Sequence, residues 1–218
     1  MNSEAESRAH FDRWAESYDE GVGNSSEFPL AQYRDVLSRL MSLADVRPSM
    51  SVLDLGTGTG NLAELFFVKS CSVWATDSSP GMIERARAKQ PGIQFSVADL
   101  RDGVPAAAPK RFDRIVSAYA FHHLELSDKA ALIEDLALKH LSPQGRLLVA
   151  DVAFRTARER EAAERRYSDH WDPCEHYWAA DETEEILRRV PVDVSYSHVS
   201  PFAGVFVVQP TAAAAGDG

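Results

Sequence analysis

Residues 52–61 read Val-Leu-Asp-Leu-Gly-Thr-Gly-Thr-Gly-Asn, an apolar run that breaks into glycines at 56, 58 and 60. Without a Cβ, such residues let the backbone turn at positive φ and approach a ligand closely. A helix starting directly after them offers unpaired N–H groups to a polar ligand. The spacing narrows the choice of ligand. A nicotinamide-dinucleotide loop, G-x-G-x-x-G, would place its third glycine at position 61, where this chain has Asn61. Here the run is instead Asp-x-Gly-x-Gly-x-Gly, with Asp54 ahead of the first glycine.

The rest of the chain alternates short apolar runs with helical patterns, the signature of a mostly parallel sheet covered by helices. Strands are expected at 50–55, 72–76, 93–98, 112–118 and 146–151, with helices at 60–69, 80–89 and 127–141 between them. Ser79-Pro80 is an N-cap followed by proline at the first helical position. Ser142-Pro143-Gln144-Gly145 reads as a turn. A charged helix over 156–169, an aromatic linker over 167–178 and a helix over 180–189 precede two closing strands, 192–198 and 202–209, expected to form an antiparallel hairpin. Ahead of the first strand, helices are expected over 3–20 and 28–44, separated by the break at 21–26. Asp77 closes the second strand, at the sheet edge where an acid can accept both hydroxyls of a ribose. Asp99-Leu100 follows the third, and Tyr119-Ala120-Phe121-His122-His123-Leu124 follows the fourth.

A chain of 218 residues fits one α/β domain. Its formal net charge of −10 is a poor match to a polyanion, so no nucleic-acid partner is expected. The densest basic cluster, Arg155, Arg158, Arg160, Arg165 and Arg166, is laced with Glu159, Glu161 and Glu164 at ion-pair spacings of a solvated helix. Cys71 and Cys174 imply no disulfide framework. No apolar run approaches the ~20 residues of a membrane span, and the N-terminus lacks a signal-like apolar core. The expectation is a cytoplasmic enzyme, monomer or homodimer, without membrane attachment.

The glycine loop with its acid, then Asp77, Asp99 and the 112–124 segment in order, resemble the motifs of class I S-adenosylmethionine (SAM) methyltransferases. Phe11-Asp12-Arg13-Trp14-Ala15-Glu16-Ser17-Tyr18-Asp19, the Tyr119–Leu124 segment, Asp151-Val152-Ala153-Phe154 and Glu175-His176-Tyr177 further resemble the YrrT-type group of bacterial methyltransferases. That resemblance spans roughly residues 10–190, with Thr57 where the group tends to have proline. It implies a Rossmann-like α/β fold: a seven-stranded, mostly parallel sheet with helices on both faces and an N-terminal helical lid. In domain terms, 1–45 is a helical cap, 46–210 the SAM-binding domain with a lid-like insertion near 155–190, and 211–218 a flexible tail. It implies SAM as cofactor, held by Tyr18, Asp54, Gly56, Thr57, Gly58, Gly60, Asp77, Ser78, Met82, Asp99, Leu100 and Ala118. Asp77 would take the ribose, Asp99 the adenine amino group, and Tyr18 the methionine carboxylate.

Methyl transfer asks a protein chiefly to align donor and acceptor and to exclude water. A base is needed only where the acceptor must lose a proton. His122 and His123 are the catalytic candidates, because imidazole accepts a proton near neutral pH; either can equally pack under the next helix. Tyr119, Asp151, His176 and Tyr177 are the acceptor-side candidates, and the aromatics of 167–178 suit a flat or apolar acceptor. His170, Cys174 and His176 lack the second ligand pair of a structural zinc site, so no metal is expected. The expected reaction is in-line methyl transfer to O, N, S or activated C of a small molecule. An RNA-modifying methyltransferase and a non-catalytic SAM or S-adenosylhomocysteine (SAH) binding protein remain the alternatives.

Overall fold

A computed structural model describes residues 28–213. In order the elements are α1 (Tyr33–Ala44), β1 (Ser51–Leu55), α2 (Asn61–Phe67), β2 (Ser72–Asp77), α3 (Pro80–Lys89), β3 (Gln94–Val97) and β4 (Phe112–Ala118). There follow α4 (Leu126–Asp135), β5 (Leu141–Phe154), α5 (Ala157–Arg166), β6 (Trp178–Ala179), α6 (Ala180–Leu187), β7 (Val192–His198) and β8 (Ala203–Pro210). The expected helix over 3–20, Tyr18 with it, lies outside the described residues.

The main path of the sheet runs β3-β2-β1-β4-β5-β8-β7, with the two-residue β6 added beside β5. Strands β1 to β5 pair in parallel, while β8 runs antiparallel to both neighbours, β5 and β7. The expected closing hairpin forms between β7 and β8. β1 sits in the middle, and all but its first residue are buried, as a strand covered on both faces requires. Its side chains alternate between two cores. Val52 joins Val73, Ala75, Val116 and Leu148 beneath α1, α2 and α3. Leu53 and Leu55 join Ile115, Leu147, Val149 and Phe206 beneath α4.

Three boundaries differ from the sequence expectation. The helix expected from 28 begins at Tyr33, because Gln32 sits at φ 62°, a left-handed conformation that a helix cannot contain. The helix expected over 127–141 stops at Asp135 and relaxes into a wider turn over Leu136–His140. Strand β5 starts at Leu141, with the expected turn absorbed as a bulge: Phe112 pairs Leu141, but Arg114 already pairs Arg146. Asp113 ties this irregular edge together by accepting from the Ser51 N–H (2.8 Å), the Ser51 hydroxyl (3.0 Å) and the Ser142 hydroxyl (3.1 Å).

The parallel topology brings the loops after β1, β2, β3 and β4 to one edge of the sheet, where open α/β folds collect ligands.

Candidate active site

The loop between β1 and α2 uses all three glycines at positive φ: 70° at Gly56, 55° at Gly58 and 85° at Gly60. A Cβ on Gly56 would lie 2.4 Å from the Cβ of Ala120, so the loop can pass the β4 terminus only as glycine. The Thr57 N–H donates to the Thr76 carbonyl (2.8 Å) and the Gly58 N–H to Asp77 Oδ2 (2.8 Å), fastening the loop to the end of β2. Asp77 Oδ1 accepts from the Ser79 N–H (2.9 Å), and the Ser79 hydroxyl caps α3 by accepting from the Met82 N–H (3.1 Å). Asp77 therefore organises both loops.

Asp54 is fully buried. Its Oδ2 accepts from the Thr57 hydroxyl at 2.6 Å, while Oδ1 is buried with no hydrogen-bond partner. Burial pushes this carboxyl up to about 7, against the relief from Thr57, and the nearby Asp77 charge adds to the rise. A narrow cleft runs over it, lined by Tyr33, Asp54, Gly56, Thr57, Leu62 and Ala118. A buried acceptor left unmet is costly until a donor reaches it. At the end of β3, Asp99 caps a short turn by accepting from the Arg101 N–H (2.9 Å), with Leu100 half-buried behind it. Ser78 is half-buried in the β2–α3 turn, and the Met82 side chain is buried beneath α3.

The opposite wall grows from the ends of β4 and β5. Tyr119, at φ 54°, turns the chain out of β4 and packs tilted against Tyr33 at 5.3 Å between ring centroids, its hydroxyl buried without a partner. The turn Phe121–His123 follows and carries His122 against Asp151. The contact is double: the His122 main-chain N–H donates to Asp151 Oδ2 (2.9 Å), and His122 Nδ1 lies 2.6 Å from Oδ1. Trp178 Nε1 donates to the same Oδ2 (3.0 Å), and the Val152 N–H to Oδ1 (2.8 Å). Burial resists ionisation of Asp151, but the His122 ring and these donors hold its carboxyl below the usual range. An ionised carboxylate only accepts, which places the His122 proton on Nδ1. Burial likewise opposes charge on His122, yet Asp151 and then Glu175 outweigh it and raise the imidazole. His123 stands edge-on to His122 at 4.2 Å between centroids; burial and that neighbour push it down to about 3.

The segment 175–178 closes over this wall. The His176 N–H donates to the His122 carbonyl (2.7 Å), and the exposed His176 ring turns no partner inward. Glu175 Oε1 lies 3.6 Å from His122 Nε2. Buried Lys129, on α4, donates to the His176 carbonyl and lies over the Trp178 ring at 4.3 Å. Burial lowers its amine to about 8, with Asp151 pulling the other way. Tyr177 is buried, 6.1 Å from the His122 ring, and joins an aromatic cluster in which Phe28 is ringed by Tyr167, Trp171, Tyr177 and Phe202. The ligating atoms of His122, His123 and Glu175 all lie within 4.8 Å of one another; His170, Cys174 and His176 form no such group among the described residues.

The structure thus brings Asp54, Gly56, Thr57 and Ala118 to one cleft, joins Gly58 and Asp77 to it, and places His122, His123, Tyr119, Asp151 and Tyr177 together on the next loops. Sequence reasoning missed Lys129, Glu175 as a neighbour of His122, and Tyr33. For Lys129 a signal existed: Lys129, Leu132, Ile133 and Leu136 share one helical stripe, so the lysine falls on the buried face.

Known proteins resemble this chain in sequence and fold. The methyltransferase-domain family matches residues 52–145, the glycine loop through β4 and into the bulge of β5. An uncharacterized methyltransferase of Geobacillus kaustophilus is 32% identical over 210 residues, spanning 89% of this chain and 93% of the relative. Among solved structures, a Haloferax volcanii methyltransferase in complex with the Trm112 methyltransferase activator superposes with a TM-score of 0.71 at 20% identity, covering 92% of this chain and 97% of that one. The magnesium protoporphyrin IX methyltransferase of Synechocystis, solved with bound SAH, gives 0.71 at 15% identity, covering 95% and 100%.

Proposed function

Because the chain belongs to the class I SAM-dependent methyltransferases, we propose that it methylates a small-molecule acceptor presented to the His122 wall of the cleft. The observation that carries this reading is the buried, unpartnered Asp54 oxygen in a cleft whose neighbouring loops carry an oriented imidazole.

When bound, SAM supplies a methyl group on a sulfonium, an electrophile that requires only an aligned nucleophile and a dry site. The chain's residues divide the remaining work. Asp54 offers its free oxygen to the cofactor's ammonium group, with Gly56, Gly58, Gly60 and Thr57 shaping the loop around it. Asp77 and Asp99 offer carboxylate oxygens to hydroxyl and amino donors at successive strand ends. Ser78, Met82, Leu100 and Ala118 complete the walls. Tyr18 belongs to the same proposal through the family resemblance alone.

On the acceptor side, Asp151 is a positioning residue: it has no exposed surface, and both its oxygens are engaged by His122, Trp178 and the β5 backbone. His122 is the group it positions, with Nε2 turned away from Asp151. His123, Tyr119 and Tyr177 flank it, whereas the His176 ring is exposed and contributes through its backbone. The net charge of −10 supports a small acceptor over a polyanion. The test is transfer of labelled methyl from SAM to pooled small molecules bearing hydroxyl, amine or thiol groups, beside total RNA as a separate arm. Label in a small-molecule product supports the reading, and label only in RNA overturns it.

A further inference from the structure

We propose that His122, His123 and Glu175 form a binding site for one divalent first-row transition-metal ion, such as Zn2+ or Co2+, facing the acceptor. The inference rests on the acceptor-side reading above and deepens it by naming what that wall presents to the acceptor. It also departs from the sequence expectation, which weighed only His170, Cys174 and His176.

Three observations carry it. First, the three ligating groups converge within 4.8 Å although Glu175 and the histidines come from separate loops. Second, His122 is prepared as a ligand. Its Nδ1 proton is committed to Asp151 at 2.6 Å, which fixes the tautomer and leaves the Nε2 lone pair pointing out. A carboxylate behind a histidine is the arrangement that orients metal-bound imidazoles. Third, that lone pair faces Glu175 Oε1 at 3.6 Å. This is beyond hydrogen-bond reach; a proton on Nε2 makes the contact an ion pair, and a metal ion that displaces that proton takes both atoms as ligands. Two ligands on one tetrahedral zinc, with bonds of about 2.0–2.1 Å, lie roughly 3.4 Å apart, so the observed gap needs little adjustment to hold an ion.

The local charge agrees. Asp151, Glu175 and Asp172 bring three carboxylates to the two histidines, against the Arg101 guanidinium beside His123 and the Lys129 ammonium, which is spent on the His176 carbonyl and the Trp178 face. Two imidazoles and one carboxylate suit zinc, cobalt, nickel or iron(II) rather than magnesium or calcium, which prefer all-oxygen sets. Three protein ligands leave coordination open, the pattern of an ion that takes a substrate atom. The acceptor class that follows is a Lewis base: a hydroxyl, thiol or amine able to coordinate the ion.

The experiment is cobalt(II) titration of the untagged, metal-stripped protein, followed by visible d–d absorption, with SAH affinity measured on the same samples. The site predicts one ion per chain. Glu175→Gln and His123→Asn should each weaken it more than about tenfold, and Asp151→Asn, which touches no metal, by about tenfold or more. Cys174→Ser and His170→Ala should change nothing. No stoichiometric absorption overturns the proposal, as does absorption that survives both Glu175→Gln and His123→Asn or that vanishes with Cys174→Ser. SAH binding without cobalt binding would remove the metal and leave the methyltransferase reading standing. Failure to bind SAH would strike that reading itself. Circular dichroism checks each variant's fold, and the two independent ligand variants keep the test decisive should one fail to fold.

Discussion

Asp151 accepts two hydrogen bonds from one residue, His122: the main-chain N–H at 2.9 Å and the ring Nδ1 at 2.6 Å. The backbone contact fixes the turn and the ring contact fixes the side chain, so the imidazole has neither rotational nor tautomeric freedom. Trp178 locks the carboxylate from its other side. A fully satisfied buried polar network of this kind rigidifies the loop that carries it.

Replacing Asp151 separates the two functions of the site. Asp151→Asn should lower turnover at least tenfold while changing SAH affinity less than about twofold, because the cofactor loops do not touch it. Asp151→Ala strands the Trp178 indole and both His122 donors, and should cost about 3 kcal/mol of stability or more. Calorimetric SAH titration and denaturant melts check the pair. Loss of SAH binding in a folded Asp151→Asn protein would place Asp151 in the cofactor site instead.

Asp54 sets a pH dependence. Its folded pKa is raised from 3.8 to about 7. Between those values the folded protein holds a proton that the unfolded chain has lost. Asp54's own contribution to stability without ligand should therefore be fully present below about pH 4, fall as pH rises toward about 7, and level off above it, opposite in sign to the contribution of Asp151, which is lost in acid. The isosteric Asp54→Asn should flatten that slope and weaken SAM binding. Thermal melts of both proteins across the range read the difference. A slope unchanged in Asp54→Asn would show that the buried carboxyl does not titrate there.

How far this site could be read in advance depended on distance along the chain. The glycine loop, Asp77 and Asp99 are local signals, each a short apolar run ended by a residue with one evident job. The glycine turn and the strand ends that carry these acids were legible for that reason. The His122–Asp151–Trp178 triangle and the Glu175 approach join loops remote in sequence, and no spacing rule connects them. Lys129 was hidden differently: a lysine in a charged helix reads as solvent-facing until its stripe with Leu132 and Leu136 is traced. Gln32 delays the helix start to Tyr33 because it takes a left-handed conformation, which nothing in its residue type signals.

Lys129 should act as a latch on the 175–178 segment. Lys129→Met keeps the buried stem but leaves the His176 carbonyl without its donor. Amide exchange at His176 and Trp178 should speed up, while the glycine loop and SAH affinity stay unchanged. Protection that persists at both amides would make the lysine a bystander.

Gly56 tests the loop itself. Alanine there meets both an unfavourable φ of 70° and a contact of 2.4 Å with Ala120. Strain and overpacking together should cost at least about 2 kcal/mol. A melt within experimental error of wild type would mean that the loop does not hold this conformation in solution.

The central claim, that the cleft over Asp54 and Asp77 is a SAM site, is tested most directly by calorimetric titration of the full chain with SAM, SAH and NAD. The account predicts saturable, one-to-one binding of the two sulfur ligands, none for NAD, and loss of the signal in Asp77→Ala. Binding of NAD alone, or SAM affinity unchanged by Asp77→Ala, would contradict it.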